Sequence, residues 1–146
     1  MPPLSSINDI AHVIQLAVAP VFLLTGVGTV LMVLTNRLAR AVDRSRVVEK
    51  LLPAQQGGVL AAAHEELALL AQRTQLIYTA IALAVVCALF VCLLIAVAFI
   101  DAFVVANLAR AIGALFVLAM LALIGSLVVF LREIFLAVTS ARRAMH

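Results

Sequence analysis

Hydrophobic positions run nearly unbroken through residues 13–34, 76–100 and 111–131. A helix needs about 20 apolar residues to cross a hydrocarbon core about 30 Å thick. Each run meets that length, so the pattern predicts an all-α integral membrane fold. Its three transmembrane helices fall near 13–35, 76–100 and 109–132. Between the first two runs the periodicity changes but does not stop. Apolar residues recur at Leu38, Ala41, Val42, Val48, Leu51 and Leu52, with Ser45 interrupting them. This is helical spacing. Pro53, Gly57 and Gly58 then form a breaker cluster with the residues between them. Beyond it Leu60, Ala63, Leu67, Leu70, Thr74 and Ile77 step by three and four, which is heptad spacing.

The pattern therefore extends helices one and two beyond the membrane. It predicts an antiparallel coiled-coil hairpin over 36–75, turning at 53–58. The second connection is short, with Asp101 closing the second run and Asn107 placed to cap the third helix. Residues 133–146 remain as a short basic tail, and the whole chain reads as one membrane domain.

Charge gives these helices a direction. Arg37, Arg40, Arg44, Arg46, Lys50 and Arg73 all lie between runs one and two, and Arg132, Arg142 and Arg143 lie at the end of the chain. The N-terminal segment has no Lys or Arg, and the second connection has only Arg110. The positive-inside rule places the N-terminus outside, and the hairpin and C-terminus in the cytoplasm. No basic leader or small-residue cleavage pattern precedes the first run, so that run is expected to stay in the mature protein.

Composition narrows the function classes. Of 146 residues, 66% are hydrophobic and 12% charged, against about 45–50% and 25% in soluble domains. That excess has no place in a water-soluble core. The net charge of +3 comes from residues flanking apolar runs rather than from a basic groove-reading surface, which argues against nucleic acid as a partner. The expected partners are the bilayer and its anionic headgroups, to which the basic cluster Arg37, Arg40, Arg44 and Arg46 is suited.

Polar residues on the first helix carry the sharpest functional signal. Asp9, His12 and Gln15 share a face, and the stripe continues through Gly26, Thr29 and Asn36, interrupted by Phe22. On a membrane helix such a stripe faces protein or water. In a ring of subunits it would line a pore, with Phe22 as an apolar constriction. The competing reading makes residues 4–15 an amphipathic segment at the outer interface, its polar side chains facing headgroups. Asp9 and His12 alone are too few for a metal site, although a His three residues from a carboxylate has the makings of a pH-sensitive pair. Pro20, followed by Gly26 and Gly28, marks a kink or hinge on the same helix, or a packing feature.

Helix two carries small residues every four positions: Ala80, Ala84, Ala88, Cys92 and Ala96. This small-xxx-small stripe lets another helix approach closely, whether from the same chain or another copy. Ala122 and Ser126 form a weaker pair on helix three. Cys87 and Cys92 sit about 140° apart around helix two, which rules out a disulfide between them and leaves both as buried apolar cysteines. No nucleophile, zinc or redox motif appears, so neither enzyme activity nor a cofactor or metal is expected. Three helices offer little protected interior, and self-association into a symmetric homo-oligomer is the expectation.

Residues 19–28 (APVFLLTGVG) and 34–40 (LTNRLAR), followed by Asp43 and Arg44, resemble the bacterial family known as domain of unknown function 2721. The later segments 92–96, 116–120 and 130–134 are similar to it too. The resemblance implies a bacterial inner-membrane protein and brings no activity or catalytic residue. It directs attention to Pro20, Asn36, Arg37, Arg40, Asp43, Arg44, Arg132 and Glu133. Asn36–Arg44 and Glu133 fall at the same membrane boundary, which predicts an ion pair from Glu133 to Arg37, Arg40 or Arg44. Exchanging the charges of such a pair should rescue a fold lost on a single reversal.

Overall fold

The computed structural model describes the backbone of residues 4–54, 57–103 and 107–143, with side chains for 10–12, 14–15, 17–54, 57–103 and 107–139. Three long α-helices make up the fold: α1 (Leu4–Leu51), α2 (Gly58–Phe103) and α3 (Ala109–Arg143). Each contains a stretch long and apolar enough to cross a membrane. Helix α1 passes through Pro20 without ending, and the proline supplies no N–H to its ladder.

A short 3₁₀ turn, Leu52–Ala54, follows α1. Gly57 then takes a left-handed φ of 65°, which glycine alone adopts without a Cβ penalty. Its carbonyl accepts from the amides of Leu60 and Ala61, closing the first turn of α2. Gln55 and Gln56, part of the expected breaker, lie outside the described residues.

The second connection is capped differently from the sequence expectation. The residue before α3 is Leu108, not Asn107, and its carbonyl accepts from the Ile112 amide. Its own amide donates to Asp101 Oδ1 at 2.9 Å. A carboxylate at the end of α2 thus takes an orphan donor at the start of α3. Helix α3 also runs to Arg143, so the expected short basic tail is helical through its first eleven residues, 133–143.

Contacts divide the chain into two units, and every helix contributes a segment to each. In the first, residues 1–30 and 83–124, the buried positions are Val27, Ala84, Cys87, Val91, Leu94, Ala119 and Ala122. In the second, residues 31–82 and 125–146, they are Leu34, Ala41, Val48, Ala63, Leu70, Ile77 and Ala80, with Ser126 and Glu133. Along α1 and α2 these positions recur every seven residues or at alternating steps of three and four. That 3.5-residue period is the one that holds a seam between long helices. Within the second unit, Val48 of α1 packs with Ala63 and Leu70 of α2, flanked by Leu52 and Leu67.

The seven-residue period also decides the fate of the small-residue stripe. Ala80 and Ala84 are fully buried, Ala88 is half-buried, and Cys92 and Ala96 are exposed. A four-residue step drifts about 40° per repeat on a straight helix, so the stripe leaves the seam that Cys87, Val91 and Leu94 continue. Cys92 is therefore not a buried cysteine of this chain, whereas Cys87 is.

Where small residues do meet the seam, the backbones come close. Ser126 Oγ on α3 donates to the Ala80 carbonyl of α2 at 2.7 Å. The contact is fully buried, and no larger side chain than serine and alanine occupies it.

Candidate functional site

Glu133 interrupts the apolar sequence of α3 and is completely buried. An ionised carboxylate in such a place is costly unless it is paired. Two arginines supply the pairing, both within the second unit. Arg73 of α2 donates to Glu133 Oε1 through Nε at 3.1 Å and Nη2 at 3.0 Å. Arg37 of α1 places Nη2 2.9 Å from Oε2. The second contact is a charge contact rather than an aligned hydrogen bond, since Oε2 and the buried Arg37 Nε have no hydrogen-bond partner among the described residues. The Arg37 guanidinium also lies 5.5 Å from the centre of the Phe130 ring, one turn before Glu133 on α3, within range of a cation–π attraction.

Helix geometry explains why these groups meet. Arg37 lies three residues beyond the buried Leu34, Arg73 three beyond Leu70, and Glu133 seven beyond Ser126. Each therefore falls on or beside the seam of its own helix. The arginines keep a quarter of their side-chain surface exposed while they contact the buried carboxylate.

The same arginines open onto a cavity of about 300 Å³. Its lining is Arg37, Arg40, Ala41, Arg44, Leu70 and Arg73. Arg44 is held on its far side by Glu66, with Nε donating to Oε1 at 2.7 Å. That bond and the charge beside it raise the Arg44 guanidinium above its ordinary value. Arg40 is exposed and forms no ion pair among the described residues. Arg46 is exposed and does not line the cavity.

The polar stripe of α1 lies elsewhere. His12, Gln15, Phe22, Gly26, Thr29 and Asn36 are all exposed, Phe22 by 72%. The Asp9 side chain lies outside the described residues. Thr25 and Thr29 hydroxyls donate to their own helix, at Val21 and Thr25 carbonyls, and so need no other partner in an apolar medium. Gln15, Phe22, Thr29 and Asn36 recur every seven residues, as do the buried Val27, Leu34, Ala41 and Val48. At 100° per residue the two faces stand about 140° apart on α1. Only 6% of the most apolar stretch of α1 is buried by the rest of the chain, against 22% for α2 and 17% for α3. A Cβ added at Gly26 or Gly28 would meet nothing within 4 Å, so neither glycine serves a close approach within the chain.

Sequence reasoning singled out Arg37 and Glu133 together but used Arg73 only as a topology charge. The signal for Arg73 was its phase: it sits three residues past Leu70 and four before Ile77, both buried. Among the described residues no three of His, Cys, Asp and Glu come together as a metal site would require.

Three apolar helices of spanning length, with a charged cluster buried just past the apolar stretch of α1, define a membrane protein of the polytopic helical class. Residues 17–143 match the family described as Protein of unknown function (DUF2721), and the chain belongs to that family. No curated protein and no solved structure matches it.

Proposed function

We propose that the protein is a homo-oligomeric ion channel of the bacterial inner membrane, lined by α1, with its N-terminus outside and its C-terminus in the cytoplasm. The observation that carries this reading is the second seven-residue face of α1. Gln15, Phe22, Thr29 and Asn36 point away from the chain's own seam on a helix whose spanning stretch is almost bare. The polar Gln15 and Asn36 on this face are costly in lipid, and such residues are normally turned to protein or water. A second heptad face is what one helix needs to meet its symmetry mates. Gly26, open on that helix, leaves room for a neighbouring backbone. Phe22 would form the apolar constriction, and Gln15 and Asn36 the polar mouths. The orientation follows from the Lys and Arg bias toward 37–73 and the end of α3. Reconstitution of the purified protein in planar bilayers tests the reading. Conductance that changes in Gln15→Leu and Phe22→Ala variants supports it, and no current from the wild type across ion gradients and pH defeats it.

A second reading rests on the packed core of Val48, Ala63 and Leu70 and on the Arg44–Glu66 pair. These contacts support reading the region 36–75 as an ordered helical hairpin, which would suit a non-transporting scaffold presenting its basic surface to a protein partner or anionic lipid in the cytoplasm. Affinity capture with and without residues 38–72 separates the two readings, since a channel keeps its current without a soluble partner and a scaffold loses its captured protein.

A further inference from the structure

We infer that Arg37, Arg40, Arg44 and Arg73 form a binding site for one phosphate group. The inference stands whether or not α1 lines a pore. Four arginines line a single cavity, and among the described residues only two carboxylates, Glu133 and Glu66, are paired with them. Two positive charges are left over around a space of about 300 Å³, the low end of ligand cavities and so a match for a headgroup-sized anion. Three of the four arginines are tied to carboxylates, while Arg40 is exposed and makes no ion pair among the described residues. Glu133 anchors Arg37 and Arg73 from the α3 side, and Glu66 anchors Arg44 from the α2 side. The anchored guanidinium groups are thereby preorganised, which reduces the ordering cost of binding an anion.

Two further observations point to an acceptor-rich ligand. Arg37 Nε is buried and donates to nothing among the described residues, which is rare for a charged donor at such depth. Arg40, on the cavity wall, has no carboxylate of its own. A phosphate has oxygens for several such forks at once, and guanidinium matches its geometry better than ammonium does. All four cavity cations are arginine, and none is lysine. No glycine-rich loop is needed, because side chains rather than backbone amides supply the donors. The cavity begins one turn past the buried Leu34, where the apolar stretch of α1 ends, so both a lipid phosphodiester and a free phosphate can reach it.

The test uses the full chain in nanodiscs and one variant, Arg40→Gln, which removes no hydrogen bond or ion pair among the described residues. Arg132→Gln, an exposed arginine outside the cavity, controls for charge at the interface. Native mass spectrometry counts retained phosphatidylglycerol against phosphatidylcholine from mixed nanodiscs. Calorimetry with inorganic pyrophosphate in phosphatidylcholine nanodiscs reads a free phosphate ligand. The expected result is binding in at least one arm that falls about tenfold in Arg40→Gln and less than about threefold in Arg132→Gln. Retention of phosphatidylglycerol alone assigns a lipid, and pyrophosphate binding assigns a soluble ligand. Equal losses in the two variants, or no binding in either arm, would overturn the site.

Discussion

Glu133 and Arg73 stand 60 residues apart in the chain and are joined by two hydrogen bonds on one carboxylate oxygen, at 3.0 and 3.1 Å. The carboxylate has no exposure, and Arg37 approaches its other oxygen. One residue of α3 thus fixes a residue of α1 and a residue of α2 in the second unit. Neutralising the centre of such a group exposes two cations to each other. Glu133→Gln should cost about 3–5 kcal/mol, the range for a broken buried pair. Thermal unfolding in a fixed detergent reads it, and a loss below 1 kcal/mol would show that the carboxylate is not structural.

The arginines should not be equivalent. Arg73→Gln removes two charge-assisted hydrogen bonds but leaves Arg37 beside the carboxylate, at an expected cost of about 1.5–3 kcal/mol. The simple charge exchange expected from the sequence is also modified by the third partner. Exchanging Glu133 with Arg37 places an arginine at 133 beside Arg73, so rescue should be incomplete. A complete rescue by that exchange alone would mean that Arg73 contributes nothing.

The Ser126–Ala80 contact sets a separate prediction. Ser126→Ala loses one neutral hydrogen bond, at about 0.5–1.5 kcal/mol, because the Ala80 carbonyl remains within its helix. Ala80→Leu forces a side chain into a position with no exposed surface and should cost more, about 1–3 kcal/mol or a rearranged seam. Unfolding midpoints of the two variants in the same detergent give the order, and the reverse order would contradict the close approach.

The exposed Arg44–Glu66 pair should matter little to stability. Its side chains are 55% and 40% exposed, and pairs of that kind contribute about 0–1 kcal/mol. Glu66 raises the Arg44 guanidinium, so its share of stability is fully present across the neutral range and is lost as strong alkali deprotonates the guanidinium. Melting curves of Glu66→Gln between pH 5 and 9 should parallel those of the wild type. A gap that opens within that range would assign the pair a role the geometry does not give it.

Much of the architecture was legible from the apolar runs, because lipid-length stretches leave few alternatives. The helix spacing at 34–52 and 60–77 also matched continuous helix. Ala63, Leu70 and Ile77 are buried as the heptad spacing implies, with Leu67 packed against that core. What the sequence obscured was Arg73, which stands between the buried Leu70 and Ile77 and is paired with Glu133. Hydrophobicity alone hides a charged position whose counter-charge lies on another helix. The four-residue small stripe has a different period from this seam, so only Ala80 and Ala84 of it are fully buried within the chain. Asn107 is not the residue before α3, and the Leu108 amide donates instead to Asp101, six residues before Asn107.

The outward face of α1 carries the functional account, and Gly26 probes it. In a chain acting alone, Gly26→Ala meets no neighbour and should stabilise the helix by about 0.5–1 kcal/mol. Gly26→Leu should leave the chain folded but separate the copies, because a bulky side chain keeps neighbouring backbones apart. Helicity by circular dichroism and subunit count together read the difference. Loss of fold in both variants would place Gly26 in the chain's own packing.

The most direct test of the channel proposal is the subunit count of the wild-type protein in lipid nanodiscs by native mass spectrometry. The account predicts a closed ring of four or more copies, enough to surround an axis with the Gln15, Phe22, Thr29 and Asn36 face. A monomer or dimer at all protein-to-lipid ratios would contradict it, since neither encloses a pore.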